Sequence, residues 1–207
     1  TSENDANPIW MWSYLIIELL SISDVFQHYI FEFKGKKQKF KLEKNISNSL
    51  SNAQVDLLIP TYNEPVEILR KTLLCASEIK WKNLTINILD DGNRPEVKSL
   101  AKELDVRYFF RTTNSGAKAG NMNAALGALT GEYVAILDAD FLSLRNFIEK
   151  AIPQFSDPRV GCVQFPQTFY NADPTQINSE LFHKFQNEQW NWFHKVLPIR
   201  DQSDLAT

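Results

Sequence analysis

Cysteine is scarce in this chain of 207 residues, where only Cys75 and Cys162 occur. Two thiols so far apart exclude a disulfide scaffold and suit a reducing compartment. Cysteines and histidines do not cluster with the spacing of a zinc site, so any metal must go to carboxylates. Positive charge is not in excess either. The formal net charge is -3, so the chain lacks the broad positive field that drives nucleic-acid binding, and no nucleic-acid partner is expected. Neither a P-loop nor a dinucleotide fingerprint is present, and no internal repeat is visible. The opening lacks the basic start and small-residue cleavage site of a signal peptide. With 43% hydrophobic and 23% charged residues the composition is that of a folded domain, which excludes a disordered or collagen-like chain.

Three stretches follow from the pattern: an apolar helix at 1–33, a basic and polar linker at 34–52, and a main domain at 53–207. In the first, Leu15, Leu19, Ile22, Phe26, Tyr29 and Phe33 recur at steps of three and four and form an apolar stripe. Glu18, Asp24 and Glu32 interrupt it too often for a free-standing membrane span. Such an amphipathic helix packs either on its own domain or within or against a membrane. Trp10, Trp12 and Tyr14 resemble an interfacial belt and favour the membrane, with residues 9–33 as the contact. Six lysines between Lys34 and Lys44 come next. They read as a solvated linker or as the cytoplasmic flank of the helix, which places the rest of the chain on the cytoplasmic face.

From residue 54 onward apolar runs alternate with helical periodicity, the mark of an α/β sheet covered by crossover helices. Strands are expected at 55–59, 84–89, 106–110, 133–137 and 160–165. Helices are expected at 64–79, 95–104, 117–129 and 144–152, with a long aromatic helix from 174 to about 195. Cys162 falls inside the last strand and reads as an inert core residue. No catalytic role is expected of His28, His183 or His194.

In open α/β sheets the ligand sits beyond the carboxyl ends of the strands, so the residues after each strand carry the chemistry. These are residues 60–65 (Pro-Thr-Tyr-Asn-Glu-Pro), Asp90-Asp91-Gly92-Asn93, residues 111–121, and Asp138-Ala139-Asp140. In an extended segment the side chains of Asp138 and Asp140 project to one face, where hard oxygens suit Mg2+ or Mn2+ together with substrate phosphates. Of Asp90 and Asp91 only one can point into the cleft. That carboxylate either caps the turn or accepts from a base N–H or a sugar hydroxyl. The loop before residue 117 opens an alanine-rich helix whose free amides favour an anion, with Lys118 supplying a charge.

Taken in order, residues 59–64 (Ile-Pro-Thr-Tyr-Asn-Glu), 90–92 (Asp-Asp-Gly), 117–121 (Ala-Lys-Ala-Gly-Asn) and 137–140 (Leu-Asp-Ala-Asp) resemble the inverting family 2 glycosyltransferases of GT-A fold. Residues 163–174 (Val-Gln-Phe-Pro-Gln-Thr-Phe-Tyr-Asn-Ala-Asp-Pro) are similar to a segment of the cellulose synthase branch. The resemblance covers about residues 54–197. It implies a Rossmann-like, mainly parallel sheet with flanking helices, preceded by a membrane-associated helix. It further implies a donor pocket for a UDP-sugar, UDP-glucose in cellulose synthases proper, lined by Thr61, Tyr62, Glu64, Asp90 or Asp91, Lys118, Asn121 and Asp138. Asp138 and Asp140 would hold the Mg2+ or Mn2+. The acceptor of the intact enzyme would be a growing β-glucan. The family's Thr-Glu-Asp and Gln-x-x-Arg-Trp motifs occur nowhere in these residues. The chain therefore reads as the donor-binding part of a processive β-glycosyltransferase, without its general base and inactive by itself. Alternatives are another membrane β-glycan synthase, or a degenerate paralogue serving as an interaction module.

Overall fold

The structure is a computed structural model that describes residues 8–35, 47–168, 171, 193–194 and 197. The chain divides into two compact units, residues 42–163 forming one and residues 1–41 with 164–207 the other. The elements, numbered in chain order, are α1 (Pro8–Gly35), α2 (Asn48–Ser51), β1 (Val55–Thr61), α3 (Val66–Ser77), β2 (Leu84–Asp90), α4 (Pro95–Glu103), β3 (Arg107–Phe110), α5 (Ala117–Leu126), β4 (Tyr133–Ile136) and α6 (Phe147–Ala151).

Among the described residues the four strands are all parallel and lie in the order β3-β2-β1-β4. β1 is central and buried along its whole length, which explains its almost unbroken apolar sequence. The chain steps outward from β1 to β2 to β3, then crosses back to place β4 on the other side of β1. Right-handed crossovers therefore put α3 and α4 on one face and α5 on the opposite one. Leu69, Leu73, Val97, Leu100 and Ala101 pack with Val55, Leu57, Ile59 and Ile88 on the first face. On the second, Ala125 of α5 meets Leu58 and Leu89.

Asp56 places a buried charge inside this apolar frame. Asp56, fully enclosed in β1, accepts from Asn87 Nδ2 at 2.9 Å and from the backbone N–H groups of Thr130 at 3.0 Å and Gly131 at 2.6 Å. Its carboxylate thus fixes the turn that launches β4, and three donors offset its desolvation. A side chain at Gly131 would bring Cβ to 2.8 Å from the Asp56 nitrogen, so the turn requires glycine.

The structure differs from expectation in three places. Residues 160–165 form no strand, and Cys162 is exposed rather than in the core. The alternating apolar pattern there has no neighbouring strand among the described residues to pair with, and a strand needs that ladder more than it needs propensity. The helix expected at 144–152 shrinks to α6 followed by a tight 3-10 turn, Ile152–Ser156, where Pro153 has no N–H to continue the α-helical ladder. In α1, Trp10, Ile16, Leu20 and Phe26 are exposed, so the apolar surface is wider than a single stripe. Its Pro8–Gln27 portion is long and apolar enough to cross a membrane. Most of the aromatic helix expected at 174–195, including His183, lies outside the described residues, as does most of the lysine run.

Candidate functional site

The order β3-β2-β1-β4 reverses direction between β1 and β4, and their carboxyl ends part there. Pairing stops at Leu58↔Ile136, while β1 continues alongside β2 as far as Thr61↔Asp90. Pro60 lies in the stretch that has lost its β4 neighbour, so its missing N–H leaves no gap in the β1–β4 ladder. This divergence is the topological switch point at which open α/β sheets take ligands.

On the β1 side, Glu64 folds back onto the strand end. Its Oε2 accepts from the Thr61 hydroxyl at 2.7 Å and from the Tyr62 N–H at 2.8 Å. Partial burial pushes the Glu64 carboxyl up, but these two bonds and the Arg94 charge outweigh it and hold the group below its ordinary value. Thr61 is enclosed and Tyr62 is exposed.

The two acids at the end of β2, Asp90 within it and Asp91 just past it, have separate duties. Asp90 is fully buried and accepts from Gly92 N–H at 3.1 Å, Arg94 N–H at 2.6 Å, Arg94 Nε at 3.1 Å and the Tyr108 hydroxyl at 2.9 Å. Burial and the bond to this anion push the Tyr108 phenol well above its usual value. Arg94 continues to Glu64 O and the Thr61 hydroxyl, both at 2.7 Å, and so sews the loop after β2 to the loop after β1. Asp91, also nearly enclosed, gives both oxygens to Arg111 at the end of β3. Both carboxylates have protein partners here, whereas the sequence led us to expect one to face the cleft.

The β4 side carries the accessible charge. The strand ends at Ile136, and Phe141 N–H donates to Asp138 O at 3.0 Å, so Asp138-Ala139-Asp140 begins a turn rather than continuing an extended segment. Ala139 between them is buried, and its carbonyl accepts from the buried Thr72 hydroxyl at 2.7 Å. Pinning the alanine inward leaves a carboxylate on either side of it at the surface. Asp140 is exposed, and Asp138 is 42% exposed in an ion pair with Lys118. Lys118 stands in the first turn of α5, whose N-terminal amides favour an anion. Asn121, one turn on, is buried and donates to Leu89 O at 2.8 Å, tying α5 to the end of β2.

Among the described residues, no three His, Cys, Asp or Glu side chains come together as a metal cage. Two surface carboxylates nevertheless fit Mg2+ or Mn2+, because such ions commonly take one or two carboxylates and fill the remaining positions with substrate phosphates and water. Sequence reasoning missed Arg94, Tyr108, Arg111 and Thr72. The spacing of Arg94 four residues after Asp90 was the one local hint. The other three bond to residues distant in the chain, where partners are set by topology. His194 lies within hydrogen-bond distance of Thr168 Oγ1 and Gln167 O, a packing arrangement.

The sequence model of Glycosyl transferase family 2 matches residues 56–204. The cellulose synthase catalytic subunit [UDP-forming] of Xanthomonas axonopodis pv. citri is 44% identical over 137 residues, 65% of this chain and 19% of that protein. Cellulose synthase 1 of Komagataeibacter xylinus is 41% identical over 154 residues, 73% of this chain and 10% of its own length. The chain thus spans a fifth or less of these relatives. Among solved structures, the mannosyltransferase PcManGT of Pyrobaculum calidifontis, in complex with GDP-Man and Mn2+, superposes with a TM-score of 0.61 at 24% identity. That alignment covers 76% of this chain and 49% of the mannosyltransferase, and it shows a common GT-A fold.

Proposed function

The chain belongs to glycosyl transferase family 2 and is related to cellulose synthase catalytic subunits, and from that premise we propose that residues 53–207 are the donor-binding part of an inverting, processive β-glycosyltransferase that uses a UDP-sugar, UDP-glucose in the first instance. One observation carries the reading. At the switch point, Lys118 in the first turn of α5 is ion-paired with Asp138, and Asp140 lies exposed two residues further on in the same turn. A lysine with a helix N-terminus suits an anion, and a carboxylate pair suits a divalent cation. A nucleoside diphosphate that arrives with its metal satisfies both.

In this reading Asp138 and Asp140 hold Mg2+ or Mn2+, which supplies Lewis-acid stabilisation of the departing diphosphate. Lys118 leaves Asp138 for the phosphate oxygens. Thr61, Tyr62, Glu64 and Asn121 frame the nucleotide, while Asp90 and Asp91 hold the loops that shape the pocket. An acceptor hydroxyl attacks the anomeric carbon opposite the leaving group and turns an α-linked donor into a β-linked product. The donor base is inferred from the Xanthomonas relative, a cellulose synthase catalytic subunit named as UDP-forming. The acceptor, a growing β-glucan, follows from the same kinship. None of the described residues is assigned as general base. The apolar Pro8–Gln27 segment and the lysines at 34–44 would place the domain on the cytoplasmic face of a membrane.

Calorimetric titration of the 207-residue chain with UDP and UDP-glucose, with and without Mn2+, and with CDP and GDP as controls, tests the proposal. Metal-dependent binding that prefers uridine is expected. A folded sample that binds none of these nucleotides would refute it.

A further inference from the structure

We infer that the Asp91–Arg111 pair is a positioning clamp that sets Lys118 for the diphosphate without touching the nucleotide; the inference rests on the reading of Lys118 given above. Arg111 is the first residue past β3, and its guanidinium spends every arm on protein. Nε and one terminal nitrogen take the two oxygens of Asp91. The remaining bonds reach Ser115 O at 2.6 Å, Asn114 Oδ1 at 3.2 Å and Ala117 O at 2.8 Å. Asn114 and Ser115 lie in the short loop that leads into α5, and Ala117 is the first residue of the helix, immediately before Lys118.

That loop cannot hold its shape on local preference. Gly116 and Ala117 are successive left-handed residues, at φ 73° and 45°, and alanine occupies that region only when its surroundings impose it. A planar fork with several fixed donors is suited to imposing it, and a lysine ammonium at the same place would not be. Gly120 completes the arrangement. A Cβ there would fall 2.0 Å from Ser115 O and 2.7 Å from an Arg111 nitrogen, so the first turn of α5 can close over the clamp only with glycine at this position. The chain of contacts runs from Asp91, anchored after β2, through Arg111 and the loop carbonyls to the first turn of α5, and from there through Lys118 to Asp138 after β4.

The discriminating variant is R111K, since lysine keeps a positive partner for the enclosed Asp91 but cannot reach the three loop oxygens together. The 207-residue chain and R111K, K118M and the R111K/K118M double variant are titrated with UDP in the presence of Mn2+, and with uridine by NMR. Hydrogen exchange of residues 114–118 is followed without ligand. Expected for R111K is a loss of about tenfold in UDP affinity, the scale of one charge-assisted hydrogen bond, with unchanged uridine affinity and faster exchange confined to the loop. K118M should show the same loss, and the double variant no more than either alone. Additive losses, or equal losses for UDP and uridine, would overturn the clamp, because Arg111 would then act on the fold or on the base. Unchanged exchange in R111K would overturn it independently of any ligand. Wild-type protein that binds no UDP while R111K still loosens the loop would instead sink the donor reading and leave the clamp standing as a structural one.

Discussion

Lys118 in the first turn of α5 is ion-paired with Asp138 just past β4, so two elements that enter the sheet edge from opposite sides of β1 meet at one charge pair. The pair is half exposed, and its own contribution to stability is small. Its interest lies in what each partner is free to do when a ligand arrives.

Replacing Asp138 and Asp140 together by asparagine should abolish the metal dependence of UDP binding while leaving the fold intact, since both side chains lie at the surface of their turn. Titration with UDP at several Mn2+ concentrations measures this. A double variant whose UDP affinity still rises with Mn2+ would remove the metal assignment.

Lys118→Met should act in opposite directions on the two ligands. UDP affinity should fall by about tenfold as a charge-assisted contact is lost. Affinity for Mn2+ alone should rise, because Asp138 no longer has a resident cation. Mn2+ titration in the absence of nucleotide, read by electron paramagnetic resonance, separates these effects. Weaker Mn2+ binding in the variant would contradict the competition.

The anchor of β4 should prove costly to disturb. Asp56→Ala leaves the N–H groups of Thr130 and Gly131 without their acceptor and takes from the Asn87 amide its shortest bond, and about 3 kcal/mol of stability should be lost. Gly131→Ala forces a Cβ against the β1 backbone and should destabilise to a similar degree. Urea unfolding should show lower midpoints at unchanged slope. Near-wild-type midpoints would mean that the turn has another anchor.

Stability should decline at alkaline pH through Tyr108. Its folded-state phenol lies above the ordinary value because of burial and its bond to Asp90. The stabilisation is therefore complete below about pH 10 and lost as pH rises from there toward the folded-state value, where the unfolded chain ionises and the folded one resists. Tyr108→Phe should flatten that alkaline limb in a pH series of urea midpoints. An identical limb in the variant would mean that other groups cause the decline.

At the acid end the sign reverses for Glu64, whose carboxyl is held below its ordinary value. Its contribution is present above that ordinary value and disappears as pH falls through the lowered one. Glu64→Gln should therefore narrow the stability gap between variant and wild type below about pH 4. A gap independent of pH would show that the loss is one of packing.

Much of the sheet was legible because β1 is a nearly continuous apolar run, β2 carries apolar residues at Leu84, Ile86, Ile88 and Leu89, and the helices keep their own period. The elements that failed are those whose identity depends on partners. Residues 160–165 alternate as a strand should, yet alternation only offers a face, and a strand exists where a neighbour takes its hydrogen bonds. The site divided in the same way. Asp138, Asp140 and Lys118 could be singled out because strand ends and helix starts collect ligand-binding groups. Arg111 and Tyr108 could not, since their partners Asp91 and Asp90 lie at the end of another strand and nothing local relates them.

By itself, then, the sequence determined the α/β class, the edge at which charge accumulates and the family motifs in their order, because apolar periodicity and turn chemistry are local properties of the chain. Only the tertiary structure decided which carboxylates remain available. Asp90 and Asp91 adjoin in sequence and read alike, but the parallel register of β2 and β3 delivers Tyr108 to one and Arg111 to the other. The turn after β4 leaves Asp138 and Asp140 at the surface. A buried carboxylate must take the donors that packing brings to it, whereas an exposed one can exchange its partner for a ligand.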